Sequence, residues 1–329
     1  MKTPRILSGM RPTGKLHLGH WVGALENWVR LQNEYECFYC VVDWHALTTH
    51  YDDTSRIREY IVDNAIDWLA AGLDPQRSTL FIQSHVMEHA ELHLLFSMIV
   101  PLPWLERVPT YKEQMSEIKD HDLNTYGFLG YPLLQSADIL IYKANAVPVG
   151  ADQVAHIELT REIARRFNHF YDEVFPEPQT LLTEVPKLPG TDGRKMSKSY
   201  GNTIALSEHP DALKEIVRNM VTDPARIRRT DPGNPDICPV GDYHDVFSDK
   251  KRVAEVDQGC RSAGIGCVEC KMWLFDSLQK RLGPMYERRK DLESHPNDVL
   301  DILNEGSRKA KAVAAETMSD VRKAMKIEG

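Results

Sequence analysis

The chain has 329 residues, of which 42% are hydrophobic and 27% are charged, and its formal net charge is −8. This composition is typical of a globular protein with a substantial buried core, and the length predicts two compact units. No apolar run approaches the ~18 residues that a membrane-spanning helix needs, and residues 1–4 lack the apolar core of a signal peptide, so we expect a cytosolic protein.

The negative net charge disfavours a surface that is basic overall, but nucleic-acid binding requires only a local basic face. Two short clusters are candidates for such a face, residues 226–229 (Arg-Ile-Arg-Arg) and residues 288–290 (Arg-Arg-Lys). Each cluster can also be a solvated helix face without a partner, and the sequence leaves both interpretations open.

The first two thirds of the chain alternates short apolar runs with helical patterns, which predicts a mostly parallel sheet with crossover helices. The expected strands are residues 6–8, 37–43, 79–83 and 147–149, and the expected helices are residues 18–33, 54–72, 130–142 and 152–167. Residues 88–125 have a charged, helical pattern that Pro101 and Pro103 interrupt, which suits an insertion between two half-folds.

The pattern changes after Ser199, where helices are expected and no strand is evident. The expected helices are residues 210–220, 249–256, 268–282 and 297–326. We therefore predict a Rossmann-like α/β domain over residues 1–195 and an all-helical domain over residues 196–329. The last helix could equally pack back on the first domain.

Residues 13–20 read Thr-Gly-Lys-Leu-His-Leu-Gly-His and follow a strand and a Gly/Pro-rich turn. A glycine turn that leads into a helix presents unpaired backbone N–H groups, which suit phosphates. His17 and His20 add side-chain donors that can follow charge on a transferring phosphoryl group, and Gly19 allows a nucleotide to approach the backbone. Two histidines that merely cap a helix are the alternative.

A second segment, Lys195-Met196-Ser197-Lys198-Ser199, lies in a polar stretch that predicts a mobile loop. Two ammonium groups on such a loop can close over a triphosphate and stabilise the negative charge that builds between its α- and β-phosphates. A solvated lysine loop is the alternative, and the presence of the first segment counts against it.

The two segments together resemble the HIGH and KMSKS signatures of the class I aminoacyl-tRNA synthetases, which bind ATP and an amino acid on a Rossmann-like sheet. Residues 131–142, 147–153 and 156–168 further resemble the bacterial tryptophanyl-tRNA synthetases of that class. The resemblance covers residues 5–222 and resumes in the C-terminal helix. It implies that the helical domain binds the anticodon, and that the insertion over residues 88–125 forms most of a homodimer interface.

The resemblance also implies the activity and the site. The expected enzyme is a tryptophan–tRNA ligase that forms tryptophanyl-adenylate from L-tryptophan and Mg²⁺-bound ATP, and then charges tRNA-Trp. The implied tryptophan contacts are Asp138 for the indole N–H, Tyr131 and Gln153 for the ammonium group, and Val147, Val149 and Gln135 around the ring. The implied ATP contacts are Arg11, Pro12, Thr13, Gly19, His20, Gly150, Ala151, Asp152, Lys195, Met196, Ser197, Lys198 and Ser199, and His17, His20, Lys195 and Lys198 are the implied catalytic residues.

Tyrosine specificity is the nearest alternative. A site built around a buried carboxylate rejects ligands without a matching donor by up to ~10⁴–10⁵, but a tyrosine hydroxyl could also donate to Asp138. Two more distant alternatives are a smaller nucleotidyltransferase that shares the phosphate site without using tRNA, and a synthetase-derived RNA-binding or redox-sensing protein that has lost amino-acid activation.

Four cysteines, Cys238, Cys260, Cys267 and Cys270, lie in a polar, Gly-rich region. Clustered thiols in a cytosolic protein point to a metal rather than to disulfides. Zinc usually takes two close pairs, whereas uneven spacing that ends in Cys-x-x-Cys suits a [4Fe–4S] cluster better, with zinc and free thiols remaining open. A subset of the bacterial family resembles this pattern and carries such a cluster beside the anticodon-binding helices, where we expect a structural role and, less strongly, a redox role.

Overall fold

The computed structural model describes residues 3–117, 122–183 and 188–327, so residues 118–121 of the predicted insertion lie outside it. Its elements, in chain order, are β1 (Arg5–Met10), α1 (Leu18–His20), α2 (Glu26–Leu31), β2 (Glu36–Val41), α3 (Asp43–Leu47), α4 (Ile57–Ala71), β3 (Ser78–Ile82), α5 (Glu88–Ser97), α6 (Leu102–Glu106), α7 (Pro109–Glu117), α8 (Tyr126–Ile141), β4 (Ala146–Val149), α9 (Val154–Phe170), β5 (Gln179–Leu182), α10 (Pro210–Asn219), α11 (Pro239–Phe247), α12 (Lys250–Arg261), α13 (Cys267–Ser294) and α14 (Pro296–Ala324).

The described residues divide into two compact units. Unit 1 comprises residues 3–14, 26–183 and 295–327, and unit 2 comprises residues 15–25 and 188–294. The division differs from the domain boundary predicted at residue 195, because a short N-terminal segment belongs to the unit formed by the later part of the chain. The last helix, α14, belongs to unit 1.

The core of unit 1 is a five-stranded sheet in the order β3-β2-β1-β4-β5, and every pair of neighbouring strands is parallel. Ile6 of β1 pairs with Cys37 of β2 and with Ala146 of β4. All but the first residue of β2 is buried, as expected for a strand covered on both faces of a parallel sheet. The predicted α/β fold class is confirmed.

The strand order reverses at β1, because the chain passes from β1 to β2 on one side and later to β4 on the other. The carboxyl ends of β1 and β4 therefore flank a topological switch point, where ligands of open α/β sheets bind. Arg11 follows β1 and Gly150 follows β4. The fold thus places two predicted ATP-binding segments at this one edge of the sheet.

Helix α14 packs directly on β3. A Cβ atom added at Gly306 would lie 1.8 Å from the carbonyl oxygen of Leu80, so only glycine allows this close approach. The neighbouring Ser307 hydroxyl accepts a hydrogen bond of 3.2 Å from the backbone N–H of Ile82. A side chain of the C-terminal helix therefore pairs with an edge strand of the sheet.

Unit 2 consists mainly of α10–α13, and α13 packs against both α10 and α11. Buried side chains of these helices include Val217, Tyr243, Leu274 and Leu278. Asp249 caps α12, since its Oδ1 accepts a hydrogen bond of 2.9 Å from the N–H of Arg252. In the part of unit 2 that the structure describes, the β-structure is confined to isolated bridges.

Several local features differ from the sequence predictions, including helix α3, which is not predicted, and helix α13, which extends to Ser294. The helix expected over residues 18–33 is interrupted by a π-helical turn, Trp21–Leu25, a feature that is frequent at functional sites. Strand β5 and helix α11 were not expected, because β5 is short and half exposed and α11 is a short helix that begins with a proline. Among the described helices, none is both long and apolar enough to cross a membrane.

The close approach of α14 to β3 predicts that Gly306→Ala lowers the free energy of unfolding by about 1–3 kcal/mol, the typical cost of overpacking a well-packed contact. The control is Gly127→Ala in α8, an exposed position where the added Cβ would lie 4.0 Å from the hydroxyl oxygen of Thr125. We expect this control to keep or raise stability, because alanine favours helices over glycine by ~1 kcal/mol. Urea denaturation measures both, and a Gly306→Ala variant as stable as the parent protein would contradict the packing described.

Candidate active site

The two signature segments lie side by side in unit 2. The backbone N–H of Leu18 donates to the carbonyl oxygen of Ile204 at 3.0 Å, and the N–H of Leu206 donates to that of Leu16 at 3.0 Å. An added Cβ at Gly19 would lie 3.3 Å from the sulfur of Met196. The segment containing both histidines is therefore paired with the chain that immediately follows the lysine loop.

The side chains of both histidines in the first segment accept hydrogen bonds from nearby backbone N–H groups. The Nδ1 of His17 accepts from the N–H of Gly19, and the Nδ1 of His20 accepts from the N–H of His17, each at 3.1 Å. This is a reciprocal capping arrangement at the start of α1. Because Nδ1 is an acceptor in each ring, the neutral imidazole must carry its proton on Nε2. The capping therefore leaves each Nε2–H as the donor available to a ligand.

Both imidazoles are neutral at physiological pH. Burial, and then the ammonium group of Lys198, lower the pKa of His17 to about 4. Burial, His17 and Lys198 lower the pKa of His20 well below its ordinary value. The unfolded chain takes up protons on these rings below pH ~6.5, so their contribution to stability is complete above that pH and is lost as the pH falls towards 4.

The lysine loop is organised by Asn202, which is buried. Its Oδ1 accepts from the N–H of Ser197 at 2.8 Å, and its Nδ2 donates to Asp192 Oδ1 at 2.8 Å and to the carbonyl oxygen of Lys195 at 3.1 Å. The hydrogen bond from Asn202, with help from Arg194, lowers the pKa of Asp192 to about 2. Lys195 and Lys198 are exposed, and Ser199 lies in the 3₁₀ turn Lys198–Tyr200.

Two further groups of predicted ATP contacts lie in unit 1, at the switch point. After β1, the N–H of Thr13 donates to the carbonyl oxygen of Arg11 at 2.9 Å, with the buried Pro12 between them, and Gly14 follows with φ +120°. After β4, Gly150 leads into the 3₁₀ turn Ala151–Gln153 and then into α9. These segments place backbone N–H groups and the start of a helix at the carboxyl edge of the sheet.

Asp138, the predicted indole acceptor, is buried on α8 and accepts four hydrogen bonds. Its Oδ2 accepts from His45 Nε2 at 2.8 Å, its Oδ1 accepts from His89 Nδ1 at 2.6 Å, and Gln83 Nε2 donates to both oxygens at 2.9 Å. Burial alone would raise the pKa of Asp138, but the hydrogen bonds from the two histidines outweigh it and lower the pKa below its ordinary value. The carboxylate is therefore ionised.

Tyr131 lies on the same helix as Asp138 and takes part in a second buried network. Its hydroxyl is 2.9 Å from the hydroxyl of Thr110, which is 2.6 Å from Nε2 of His156. Burial lowers the pKa of His156 to about 4, so this ring is also neutral. Val147 is buried in β4, whereas Val149, Gln135 and Gln153 are partly exposed. All six predicted tryptophan contacts lie in unit 1, with Asp138 and Tyr131 in two separate hydrogen-bond networks.

The structure adds five residues that the sequence analysis did not select. They are His45, Gln83, His89, Thr110 and His156. His45 and Gln83 follow or end predicted strands, so the rule that ligands bind at the carboxyl edge of a parallel sheet could have found them. The other three lie within helices, and no spacing pattern marks them.

The four clustered cysteines lie in unit 2, and all of them are free thiols. Burial, and then the other three cysteines, raise the pKa of Cys270 to about 12, so the four thiols are close enough to interact electrostatically. Arg226 Nη1 lies 3.8 Å from Cys260 Sγ. Within residues 3–117, 122–183 and 188–327, no three His, Cys, Asp or Glu side chains meet closely enough to hold a metal ion as they stand.

Comparison with known proteins decides between the enzyme families that the site allows. The family model "tRNA synthetases class I (W and Y)" matches residues 1–283. The chain belongs to this family. The predicted class I synthetase fold, a parallel sheet domain with a helix-rich C-terminal region, is confirmed by this membership and by the topology.

Individual class I synthetases are similar over almost the whole chain. A tryptophan–tRNA ligase of Thermotoga maritima is 60% identical over 325 residues, which cover 98% of this chain and 99% of the relative. A tryptophan–tRNA ligase of Deinococcus radiodurans is 46% identical over 323 residues, or 97% of each protein. A crystal structure of tryptophanyl-tRNA synthetase from Campylobacter jejuni, complexed with ADP and tryptophan, matches with a TM-score of 0.88 and 31% identity and covers 98% of this chain.

Proposed function

We propose that the chain is a tryptophan–tRNA ligase, which activates L-tryptophan with ATP and transfers it to the 3′ end of tRNA-Trp in the cytosol. The observation that carries the proposal is the adjacency of His17, His20 and Lys198 in unit 2, where two neutral N–H donors lie beside an ammonium group. Membership of the class I synthetase family, together with the similar tryptophan–tRNA ligases, supports this reading over a nucleotidyltransferase without a tRNA substrate.

In the first reaction, a carboxylate oxygen of tryptophan attacks the α-phosphorus of ATP in line, the bond to the β-phosphate oxygen breaks, and pyrophosphate leaves. Mg²⁺ enters bound to the phosphate oxygens of ATP. Because the enzyme forms no covalent intermediate, catalysis consists of positioning and of stabilising the charge on the phosphates. His17 and His20 donate from Nε2, and Lys195 and Lys198 supply positive charge.

Within unit 1, the proposed ATP contacts are Arg11, Pro12, Thr13, Gly150, Ala151 and Asp152. Within unit 2, they are Gly19, Met196, Ser197 and Ser199. In the second reaction, a ribose hydroxyl of the terminal adenosine attacks the acyl carbon of the adenylate and AMP leaves.

Tryptophan is held through its two polar ends. Asp138 accepts the indole N–H, while Tyr131 and Gln153 bind the ammonium group. Val147, Val149 and Gln135 surround the ring.

We assign tRNA recognition to the helical residues of unit 2, which bind the anticodon by base contacts and stacking. The cluster at residues 226–229 is suited to this role, since Arg228, Arg229 and the 87% exposed Ile227 face solvent. The cluster at residues 288–290 is less suited, because Arg289 is buried and lies 2.9 Å from Glu293.

A homodimer is part of the proposal. Large apolar side chains are exposed around the insertion of unit 1, namely Met87, Leu94, Met98, Leu102 and Tyr126. In a symmetric dimer built through this insertion, the same side chains would be covered on both copies.

The four cysteines of unit 2 suit a [4Fe–4S] cluster in the chemistry of their donors, because all four are free thiols that interact electrostatically, and Arg226 lies beside Cys260 to balance negative charge. Cys238, Cys260, Cys267 and Cys270 would ligate it. When bound, the cluster would cross-link the segments that carry these cysteines and so fix the region that meets the tRNA.

Anaerobic purification followed by iron and sulfide analysis tests this assignment. We expect about four iron and four sulfide per chain, and loss of both in Cys267→Ser. Cys37→Ser in the buried strand β2 is the control and should keep the full content. Colourless protein without iron would contradict the presence of a cluster, and a content of one zinc per chain would indicate a zinc site instead.

ATP–pyrophosphate exchange with tryptophan and tyrosine in parallel, with and without tRNA, tests the activity. We expect exchange with tryptophan and not with tyrosine, and a fall in kcat of about 10²–10³ in Lys198→Ala, because a charge-stabilising group in the transition state is lost. Lys250→Ala, an exposed lysine of α12, is the control and should be unchanged. Exchange with tyrosine alone, or with neither amino acid, would contradict the proposal.

A further inference from the structure

The carboxylate of Asp138 has no free acceptor position in this structure. A carboxylate offers about four lone-pair sites, two on each oxygen. His45 and Gln83 occupy those of Oδ2, and His89 and Gln83 occupy those of Oδ1. An indole N–H can therefore bind Asp138 only if one of these donors gives way.

The three donors differ in how firmly they are held. Gln83 is anchored at its other end, since its Oε1 accepts from the N–H of Trp44 at 3.1 Å. His89 is anchored too, because its Nε2 lies 2.7 Å from the hydroxyl of Tyr142. Both residues are completely buried.

His45 is the exception among the three. Its bond to Asp138 is the one hydrogen bond that its ring makes to the described residues, and its side chain is 9% exposed. It lies on the short helix α3, directly after β2, at the carboxyl edge of the sheet where the substrate is expected. His45 can thus leave Asp138 at the cost of a single hydrogen bond.

We infer that His45 is a specificity-determining residue, which occupies Asp138 Oδ2 when the pocket is empty and yields that position to the indole N–H when tryptophan binds. The inference rests on the proposed function, in which Asp138 recognises the indole. The imidazole N–H of His45 takes the place of the substrate's ring N–H. The buried carboxylate of Asp138 therefore keeps a hydrogen-bond donor at Oδ2 whether or not tryptophan is bound.

The replacement of His45 by the indole N–H affects how the enzyme discriminates between tryptophan and its analogues. A tryptophan analogue whose ring has no N–H leaves the His45–Asp138 hydrogen bond intact. Its binding free energy therefore differs from that of tryptophan only by the difference between the His45–Asp138 and indole–Asp138 hydrogen bonds. Without the imidazole, the same analogue leaves a buried carboxylate with an unfilled acceptor, which is costly. Removing His45 therefore increases the preference for tryptophan, whereas damage to the pocket alone would reduce kcat/KM for both substrates alike.

The test compares tryptophan with β-(benzothiophen-3-yl)alanine, in which sulfur replaces the ring N–H, in the pyrophosphate exchange of the full-length enzyme. We expect the ratio of the two kcat/KM values to rise about tenfold or more in His45→Ala, as loss of a charge-assisted hydrogen bond predicts. The change should appear mainly in KM for the analogue. His45→Leu, which fills more of the vacated space without a donor, should show the same rise and serves if the alanine variant does not fold.

Two variants serve as controls. His45→Gln keeps an N–H donor at this position and should restore the wild-type ratio. His93→Ala removes a partly buried histidine of α5 that has no hydrogen bond to Asp138 among the described contacts, and it should leave the ratio unchanged.

An unchanged or lower ratio in both His45→Ala and His45→Leu would overturn the inference. This outcome is distinct from failure of the proposed function, because in that case the wild-type enzyme would exchange pyrophosphate with neither tryptophan nor the analogue.

Discussion

Two backbone hydrogen bonds, which pair residues 16–18 with residues 204–206, hold together the part of unit 2 that carries the two signature segments. They join segments that are far apart in the sequence, and they place the histidines beside the lysine loop. Side chains alone would hold these charged and polar groups poorly, because exposed lysines gain little from isolated surface contacts. The two backbone hydrogen bonds fix the position of these segments, and Asn202 fixes the lysine loop through three further hydrogen bonds.

The local structure of this segment also determines the tautomer and the charge of the two histidines. Reciprocal capping fixes the Nε2–H tautomer, and burial beside Lys198 keeps the rings neutral. A neutral imidazole donates its N–H to a phosphate oxygen and keeps its proton, whereas an imidazolium can lose a proton. Lys198 carries the positive charge. Unit 1 uses the opposite arrangement at Asp138, where internal donors keep a buried carboxylate ionised. In both places burial is tolerated because hydrogen bonds satisfy the buried groups.

Much of this could be predicted from the sequence, and the reasons for success and failure are physical. Buried parallel strands such as β2 are continuous apolar runs, and the two signatures are short local motifs. Both can therefore be recognised from the sequence alone. The buried polar residues His89, Thr110 and His156 cannot, since a buried polar residue gains its role from partners that are distant in sequence. Strand β5 was missed because it is partly polar and pairs only with β4. The inclusion of residues 15–25 in unit 2 depends on long-range pairing, which no composition change reveals.

The central claim is that His17 and His20 act as neutral donors through Nε2 beside the lysine loop. Ring-nitrogen NMR of the ¹⁵N-histidine-labelled protein between pH 5 and pH 8, with His17→Gln and His20→Gln for assignment, tests it most directly. The account predicts that both rings stay neutral over the whole range, with the proton on Nε2, and that addition of ATP shifts the Nε2–H resonances. Titration of either ring near pH 6.5, or a proton on Nδ1 of the neutral ring, would contradict it.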